Sequence, residues 1–218
     1  MLNIAIDGPS GAGKSTIAKE IAKRLNIIYL DTGAMYRAIG LKAVRLGIDT
    51  NDRDGVLTFL DNTEIKIEYN DGVQVIYLDG ENVSSAIREH HISKAASNVS
   101  KIPEVRLKLV TMQRDIASKN NVILDGRDIT SYVLKDANYK FYLTATPEER
   151  AKRRYKELIE KGQDVQYDKV LEDINDRDYN DTHRDFAPLT LTKDSVYIDS
   201  TNLEIEQAID KILSYIKY

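Results

Sequence analysis

The chain has 218 residues, with 31 lysines and arginines against 35 aspartates and glutamates, and its formal net charge is −4 at neutral pH. This length suits one α/β domain with a sizeable core, and the acidic balance argues against non-specific binding to nucleic acid. The absence of cysteine excludes disulfides, thiolate metal sites and a cysteine nucleophile. The lack of cysteine also fits a reducing compartment. No apolar stretch is long enough to span a bilayer and no secretory signal pattern is present, so we expect no membrane partner.

Short, nearly continuous apolar segments predict the strands of a parallel sheet that is covered by helices on both faces. These segments are Asn3 to Asp7, Ile27 to Asp31, Val122 to Asp125, Phe141 to Leu143, and Val196 to Asp199. Several of them end in aspartate, and ligands of such sheets bind at the carboxyl ends of the strands. We therefore expect the functional site at that edge of the sheet.

Helices are predicted between these strands by apolar residues about one turn apart and by capping signals. An apolar stripe from Ile17 to Leu25 predicts a helix soon after the first strand, and Pro103 can begin a later one. Capping boxes are predicted before two further helices. One pairs Thr146 with Glu149, with Pro147 as the first residue of the helix, and the other pairs Thr201 with Glu204.

Two segments interrupt the alternation of strands and helices. Ile65 to Tyr69 and Val73 to Leu78 alternate apolar and polar residues around Asn70-Asp71-Gly72, which predicts a β-hairpin in an insert from about residue 62 to 90. The segment from Thr146 to Pro188 is densely charged with both signs in a helical pattern, and it has few large apolar residues. We expect a helical arm there.

The segment after the first predicted strand carries the clearest chemical signal. It reads Gly8-Pro9-Ser10-Gly11-Ala12-Gly13-Lys14-Ser15 and fits the pattern G-x-x-x-x-G-K-S/T between a strand and a helix. The glycines let backbone N–H groups converge on phosphate oxygens, and Lys14 is placed to reach the β- and γ-phosphates. Ser15 can bind Mg²⁺, with the hydroxyl of Thr16 beside it. The pattern predicts a nucleotide-binding loop; the alternative is a glycine-rich turn with a lysine by chance.

A phosphate-binding loop leaves the reaction open, and the rest of the chain favours a small-molecule kinase. The sequence has no N-K-x-D guanine motif, which argues against a switch-type GTPase, and it is short for a large ATPase motor. A kinase needs a second anion site for its acceptor and arginines that close over the transferring phosphoryl group, and arginines suited to these roles lie after two of the predicted strands and in the charged arm. They are Arg37, Arg127, Arg150, Arg153, Arg154, Arg177 and Arg184.

Taken together, these motifs make the sequence similar to the bacterial cytidylate kinases, which move the γ-phosphoryl group of ATP to CMP or dCMP. The similarity extends from Ile4 to about Glu206 and rests on IDGPSGAGKST, DTGAMYRAI, VIYLDGENVSSAIR, ASNVSKIPEVR, LDGRDI, TPEERAKRR, DRDYNDTHRDFAPL and IDSTNLEIE. It implies a cytoplasmic monomer that binds small nucleotides, with ATP as phosphoryl donor and Mg²⁺ as its ion.

The resemblance also implies the fold and its regions. The fold is a three-layer α/β P-loop kinase, with a five-stranded parallel sheet in the order 2-3-1-4-5, a small β insert and a helical lid. The core would comprise residues 1–37, 103–146 and 188–218, the acceptor-binding region residues 38–102, and the lid residues 147–187.

Residue by residue, the resemblance assigns catalysis to Lys14, Arg127, Asp128 and Arg154, with Arg154 stabilising charge at the moving phosphoryl group. It assigns binding of the donor nucleotide to Arg150 and the loop from Gly8 to Thr16. It assigns binding of Mg²⁺ to Ser15, with Asp125 acting through water. It assigns binding of the acceptor to Ser10, Thr32, Tyr36, Arg37, Ser97, Arg106, Gly126, Arg127, Asp128, Arg177, Asp181 and Arg184.

Within the acceptor set, the resemblance implies three kinds of contact. The phosphate is held by Ser10, Arg37 and Arg127. The cytosine edge is recognised by Ser97, Arg106 and Asp128, with help from Arg184. The ribose is contacted by Arg177 and Asp181.

Simpler structural roles are open for some of these residues. Thr32 can cap a helix, Asp125 can close a strand, and Arg106 can be a solvated arginine on a helix surface.

The loop after Asp128 departs from the family pattern, in which glycine follows at position 130 and proline at position 135. This chain has Thr130, Ser131 and Lys135. Threonine disfavours a positive φ and adds bulk beside the acceptor pocket, and Lys135 does not stiffen the turn. Two alternatives to a CMP kinase therefore stay open at this point: a kinase for another acceptor, such as UMP or shikimate, and a regulatory P-loop protein that binds ATP.

Overall fold

The computed structural model describes residues 1–70, 72–160 and 162–217. Its elements in chain order are β1 (Asn3–Asp7), α1 (Lys14–Leu25), β2 (Ile28–Asp31), α2 (Thr32–Arg45), α3 (Arg53–Leu60), β3 (Ile65–Asn70), β4 (Val73–Leu78), β5 (Glu81–Asn82), α4 (His90–Val99), α5 (Pro103–Lys119), β6 (Val122–Gly126), β7 (Tyr139–Thr144), α6 (Pro147–Glu160), α7 (Tyr167–His183), β8 (Val196–Asp199) and α8 (Ile205–Leu213). A 3-10 helix covers Ala86–Arg88, and a π-helical turn covers Ile129–Val133.

Five strands form a parallel sheet flanked by helices, in the order β2-β6-β1-β7-β8. Ile6 of β1 lies opposite Phe141 of β7, and Leu143 lies opposite Ile198 of β8. Counted among these five strands, the order is 2-3-1-4-5, which confirms the prediction. The side chains of β1 and β6 are almost wholly buried, as their unbroken apolar runs require.

The chain divides into two compact units. The first unit comprises Met1 and Ile28–Val122, and the second comprises Leu2–Ile27 and Ile123–Tyr218. In the first unit, α2 packs against α4 and α5, with Met35, Ile39 and Leu109 fully buried.

The predicted hairpin of the first unit is confirmed. β3 and β4 pair antiparallel, with Ile65 opposite Leu78 and Asn70 opposite Val73. The predicted turn residue Asp71 lies outside the described residues. The two-residue strand β5 pairs with β4 and completes a three-stranded sheet, which is one strand more than expected.

The second unit contains the densely charged arm as two helices, α6 and α7. They pack on each other through a small apolar cluster of Ala151, Leu158, Val170 and Ile174. The edge-to-face ring pair Tyr155 and Tyr167 lies beside this cluster. The helical arm is confirmed, and it has an apolar centre of its own. No helix in the described parts of the chain has the length and apolar character to cross a membrane.

The two predicted capping boxes have different outcomes. Pro147 begins α6, and the N–H of Glu149 donates to the hydroxyl of Thr146 at 3.3 Å, as expected. The return half of that box is wrong, because the N–H of Thr146 donates to Thr201 instead.

The prediction of a box at Thr201 is also wrong. The Thr201 hydroxyl donates to Asp199 at 2.6 Å, so it is engaged before α8 begins. Glu204 is itself the capping residue of α8, and its box closes with Gln207.

Candidate active site

The loop between β1 and α1 has the shape of a phosphate cradle. Gly13 has φ 87° and precedes the first residue of α1, where no acidic side chain occupies the first turn. Gly8 has φ 150°, and a Cβ there would lie 1.9 Å from the carbonyl oxygen of Leu143 on β7. Glycine is therefore required at Gly8 for lack of space and is favoured at Gly13 by the left-handed backbone. The first N–H groups of α1 have no acceptor within the helix and suit an anion.

Lys14, the first residue of α1, lies buried at this loop. Its Nζ donates to the carbonyl oxygen of Pro9 at 2.7 Å. Burial lowers the pKa of Lys14 to about 7, and the charge of Arg127 acts in the same direction. The carboxylates of Asp125, Asp181 and Asp7 act against this lowering without reversing it. The neighbouring carboxylates are not enough to keep the pKa of Lys14 at its usual value, and a bound polyphosphate would favour the charged form of the lysine.

Ser15 and Asp125 offer oxygen ligands side by side. The Ser15 hydroxyl donates to Oδ2 of Asp125, at the end of β6, at 2.9 Å. A hydroxyl, a carboxylate and phosphate oxygens are the ligands that Mg²⁺ accepts, so these residues fit that ion. Among the described residues no group of three or more histidine, cysteine, aspartate or glutamate side chains could hold a metal ion.

Asp7, which the sequence places at the end of the first strand without a role of its own, holds the loop after β6. The N–H of Ile129 donates to its Oδ1 at 2.9 Å, and the N–H and hydroxyl of Thr130 each donate to its Oδ2 at 2.7 Å. Burial raises the pKa of Asp7 to about 6, the charge of Asp128 adds to this, and the donors from Thr130 and Ile129 oppose it. The φ angle of Thr130 is not positive, so its backbone lies outside the left-handed region that favours glycine.

Arginines and carboxylates alternate in a network next to Asp128. Nε of Arg127 lies 2.7 Å from Oδ2 of Asp181, and Arg184 lies 3.6 Å from Asp181 and 3.7 Å from Asp128. Burial acts to raise the pKa of Asp181, but the charges of Arg127, Arg184 and Arg177 outweigh it and hold that pKa below its usual value. The structure thus brings together five of the residues predicted to bind the acceptor.

Arg150 of α6 and Asp178 of α7 both form hydrogen bonds with the backbone of Ser10. Arg150 donates to the carbonyl oxygen of Ser10 at 2.8 Å and to that of Ala145 at 2.9 Å. Asp178 lies 2.6 Å from Arg150 and accepts from the N–H of Ser10 at 3.3 Å. Sequence reasoning missed Asp178, although its place one residue after Arg177 is a signal that it shares the same helix.

The other arginines of α6 lie closer to the surface. Arg154 pairs with Glu157 on its own helix at 2.8 Å. Arg153 donates to the carbonyl oxygen of Ser200 at 2.7 Å. The predicted catalytic role of Arg154 stays a prediction, because its ion pair is with Glu157 and not with the loop of residues 8–13.

In the first unit, Asp31 organises the start of α2. Its side chain accepts from the N–H of Ala34 at 2.9 Å and from Arg37 at 2.8 Å. The alternative that Thr32 caps a helix is wrong, because Asp31 is the capping residue and Thr32 is the first residue of α2.

The predicted base-binding residues of the first unit are buried. Arg106 is 1% exposed, so the alternative of a solvated arginine is wrong. It donates to the carbonyl oxygen of Ser100 at 3.1 Å, and its guanidinium lies 5.3 Å from the ring centre of Tyr36. The hydroxyl of Ser97 is buried and has no hydrogen-bond partner among the described residues. A polar ligand would satisfy it.

A family comparison decides what this arrangement belongs to. The cytidylate kinase family model matches residues 4–218. The chain belongs to the cytidylate kinase family. The resemblance inferred from the sequence motifs is therefore confirmed.

Individual relatives agree with this assignment. The chain is 55% identical to the cytidylate kinase of Caldicellulosiruptor saccharolyticus, over 97% of this chain and 94% of that one. It is 52% identical to the cytidylate kinase of Clostridioides difficile, over 99% of this chain and 98% of that one. A gluconokinase structure from Sinorhizobium meliloti matches with a TM-score of 0.51 at 12% identity, over 98% of this chain and 90% of that one, which supports the P-loop kinase fold.

Proposed function

We propose that the protein transfers the γ-phosphoryl group of ATP to CMP or dCMP and releases ADP with CDP or dCDP. The observation that carries the proposal is a link between two segments: Asp7, directly before the phosphate-binding loop, accepts hydrogen bonds from Ile129 and Thr130, which follow Arg127 and Asp128. The segment with the donor's lysine, Lys14, and the segment with the acceptor's arginine, Arg127, are thereby joined. A transferase between two phosphorylated substrates needs one anchor for the donor and one for the acceptor. Membership of the cytidylate kinase family supports cytidylate as the acceptor. A kinase for another acceptor, or a regulatory ATP-binding protein, is not favoured.

The reaction follows an in-line displacement. An oxygen of the acceptor's phosphate forms a bond to the γ-phosphorus as the bond to the bridging oxygen of ADP breaks. Side chains supply position and charge, without a covalent enzyme intermediate. Lys14 binds the donor phosphates with the N–H groups of the loop from Gly8 to Thr16, and Arg154 stabilises the charge on the phosphoryl group.

Ser15 and Asp125 would hold Mg²⁺, which neutralises charge on the phosphates when bound. Ser10, Arg37 and Arg127 hold the acceptor's phosphate.

Binding of the cytosine edge is the role of Ser97, Arg106 and Asp128. The remaining acceptor contacts come from Thr32, Tyr36, Gly126, Arg177, Asp181 and Arg184.

The larger organisation belongs to the same proposal. Residues 147–187 act as a lid whose Arg150 contributes to the donor site, residues 38–102 serve the acceptor, and the remainder is the core. The protein works as a cytoplasmic monomer on small nucleotides, without a nucleic-acid or membrane partner. The buried apolar contact between α6 and α7 supports a lid that keeps its own structure.

An acceptor panel tests the proposal. With ATP and Mg²⁺, we expect turnover of CMP and dCMP to exceed that of UMP, AMP, GMP and dTMP, measured as ADP release. Lys14→Ala should abolish transfer, because the donor phosphates lose their main cation. Lys23→Ala, at an exposed lysine of the same helix, should leave it intact. Equal rates for all acceptors, or no turnover of CMP, would contradict the proposal.

A further inference from the structure

The π-helical turn Ile129–Val133 follows directly on Arg127 and Asp128, and one carboxylate fixes its start. That carboxylate belongs to Asp7, the last residue of β1 before Gly8 of the phosphate-binding loop. Three donors converge on it, namely two backbone N–H groups and the hydroxyl of Thr130. The segment that carries the acceptor anchors is thus tied to the strand that leads into the donor loop.

Both partners of this contact are withdrawn from water, since Asp7 is 0% exposed and Thr130 is 2% exposed. Water therefore cannot replace a lost donor without a change in structure, and hydrogen bonds to a charged acceptor are the stronger kind. Any residue at position 130 other than proline would supply the backbone N–H. The hydroxyl depends on the residue at position 130 itself.

A like charge makes this third donor more important. The carboxylate of Asp128 opposes ionisation of Asp7, so the two acidic groups repel each other when both are charged. A hydroxyl that donates to Asp7 offsets part of this repulsion and lets Asp128 stay where the acceptor's base would meet it.

We propose that Thr130 is a positioning residue for the acceptor: its hydroxyl bond to Asp7 holds Arg127 and Asp128 in register with the phosphate-binding loop. The inference rests on the proposed phosphoryl transfer to a nucleoside monophosphate. It assigns a function to the position at which this chain departs from the family's glycine.

The test compares Thr130→Val, which keeps the branched shape and the backbone N–H, with Thr130→Ser, which keeps a hydroxyl. Thr130→Val should lower kcat/KM for the acceptor about 10-fold and change the KM for ATP less than about twofold. Thr130→Ser should recover most of the loss. A matched control is Thr192→Val, because the hydroxyl of Thr192 also bonds to an aspartate, Asp194, outside the site.

Amide hydrogen exchange of the ligand-free protein gives a readout that does not depend on turnover. We expect the amides of residues 129 and 130 to exchange faster in Thr130→Val and to be unchanged in Thr192→Val. An unchanged kcat/KM for the acceptor, an equal loss for ATP and acceptor, or unchanged exchange in Thr130→Val would overturn the inference.

The wild-type acceptor panel separates the two levels of the proposal. If the wild type prefers another nucleoside monophosphate, the proposed CMP specificity fails, and the same comparison with that acceptor still decides the role of Thr130. If the wild type turns over none, the exchange measurement alone decides whether the hydroxyl holds the loop.

Discussion

Lys14 is the residue at which burial and charge conflict most directly. A lysine in water has a pKa near 10.5, whereas burial and Arg127 lower that of Lys14 to about 7. Above neutral pH the ligand-free side chain is therefore mostly uncharged. A bound triphosphate favours the charged form, so ATP and a proton should bind together.

Proton uptake on ATP binding tests this linkage. At about pH 8, wild-type protein should take up close to one proton when it binds ATP, measured by calorimetry in two buffers with different ionisation heats. Lys14→Arg should bind ATP without taking up a proton at residue 14, because a guanidinium stays charged throughout this pH range. Equal uptake by both proteins would contradict the assignment.

At the scale of single residues, the sequence is informative where the chemistry is local. The phosphate-binding loop is one continuous motif, and its members from Gly8 to Ser15 were predicted together. Asp7 and Asp178 were not predicted, because their partners Thr130 and Ser10 lie more than 120 residues away in the chain. Only the folded chain shows that these carboxylates fix the loops around the site.

At the scale of elements, the arm formed by α6 and α7 has an apolar centre that is small for its length. Leu158 is 1% exposed and packs with Ala151, Val170 and Ile174. Its neighbour Ile159 is 46% exposed. The two residues have side chains of the same size but very different exposure, so the same change to alanine at each compares a buried site with an exposed one.

Leu158→Ala should destabilise the arm by about 2–4 kcal/mol, because it removes buried methyl groups and leaves a cavity between the helices. We expect faster proteolytic cleavage within residues 147–187 at temperatures at which the rest of the chain stays folded. Ile159→Ala should leave the cleavage rate nearly unchanged. The packing assignment fails if the two variants are cleaved alike.

The strands and the principal helices could be predicted because their apolar periodicity is regular over several residues. The three-layer order 2-3-1-4-5 came from the family resemblance, since alternating strands and helices are compatible with several orders. The two-residue strand β5 is too short to have a pattern of its own. The cap of α8 was misplaced by three residues, because two hydroxyl and carboxyl side chains near it compete for the same role.

At the scale of the whole molecule, a net charge of −4 opposes the approach of nucleotides, which are themselves anions. The second unit nevertheless brings Arg127 and Arg184 together on Asp181, and the charge of Arg127 acts on Lys14. Local charge therefore matters more for binding than the total does, and local charge is sensitive to screening.

Raising KCl from about 0.05 M to about 0.5 M should raise the KM for CMP severalfold, because the Debye length shortens about threefold and salt screens the attraction between these arginines and the anionic acceptor. Arg127→Ala should raise the KM and flatten its dependence on salt. Arg24→Ala removes an arginine that pairs with Glu206 at the surface, so the salt dependence should be retained. A KM for the wild type that is independent of salt would contradict this picture.

The two glycines at the ends of the loop should differ in their tolerance to mutation. At Gly8 any side chain collides with the backbone of β7, so a saturation library scored for folding and activity should return glycine alone. At Gly13 an added Cβ meets only the end of Ile17, at 3.9 Å, and the constraint is the left-handed backbone. Asparagine adopts that conformation more readily than most other non-glycine residues do, so it should be the commonest replacement there. The two glycines of the motif are therefore selected for different reasons, Gly8 for lack of space and Gly13 for its backbone conformation.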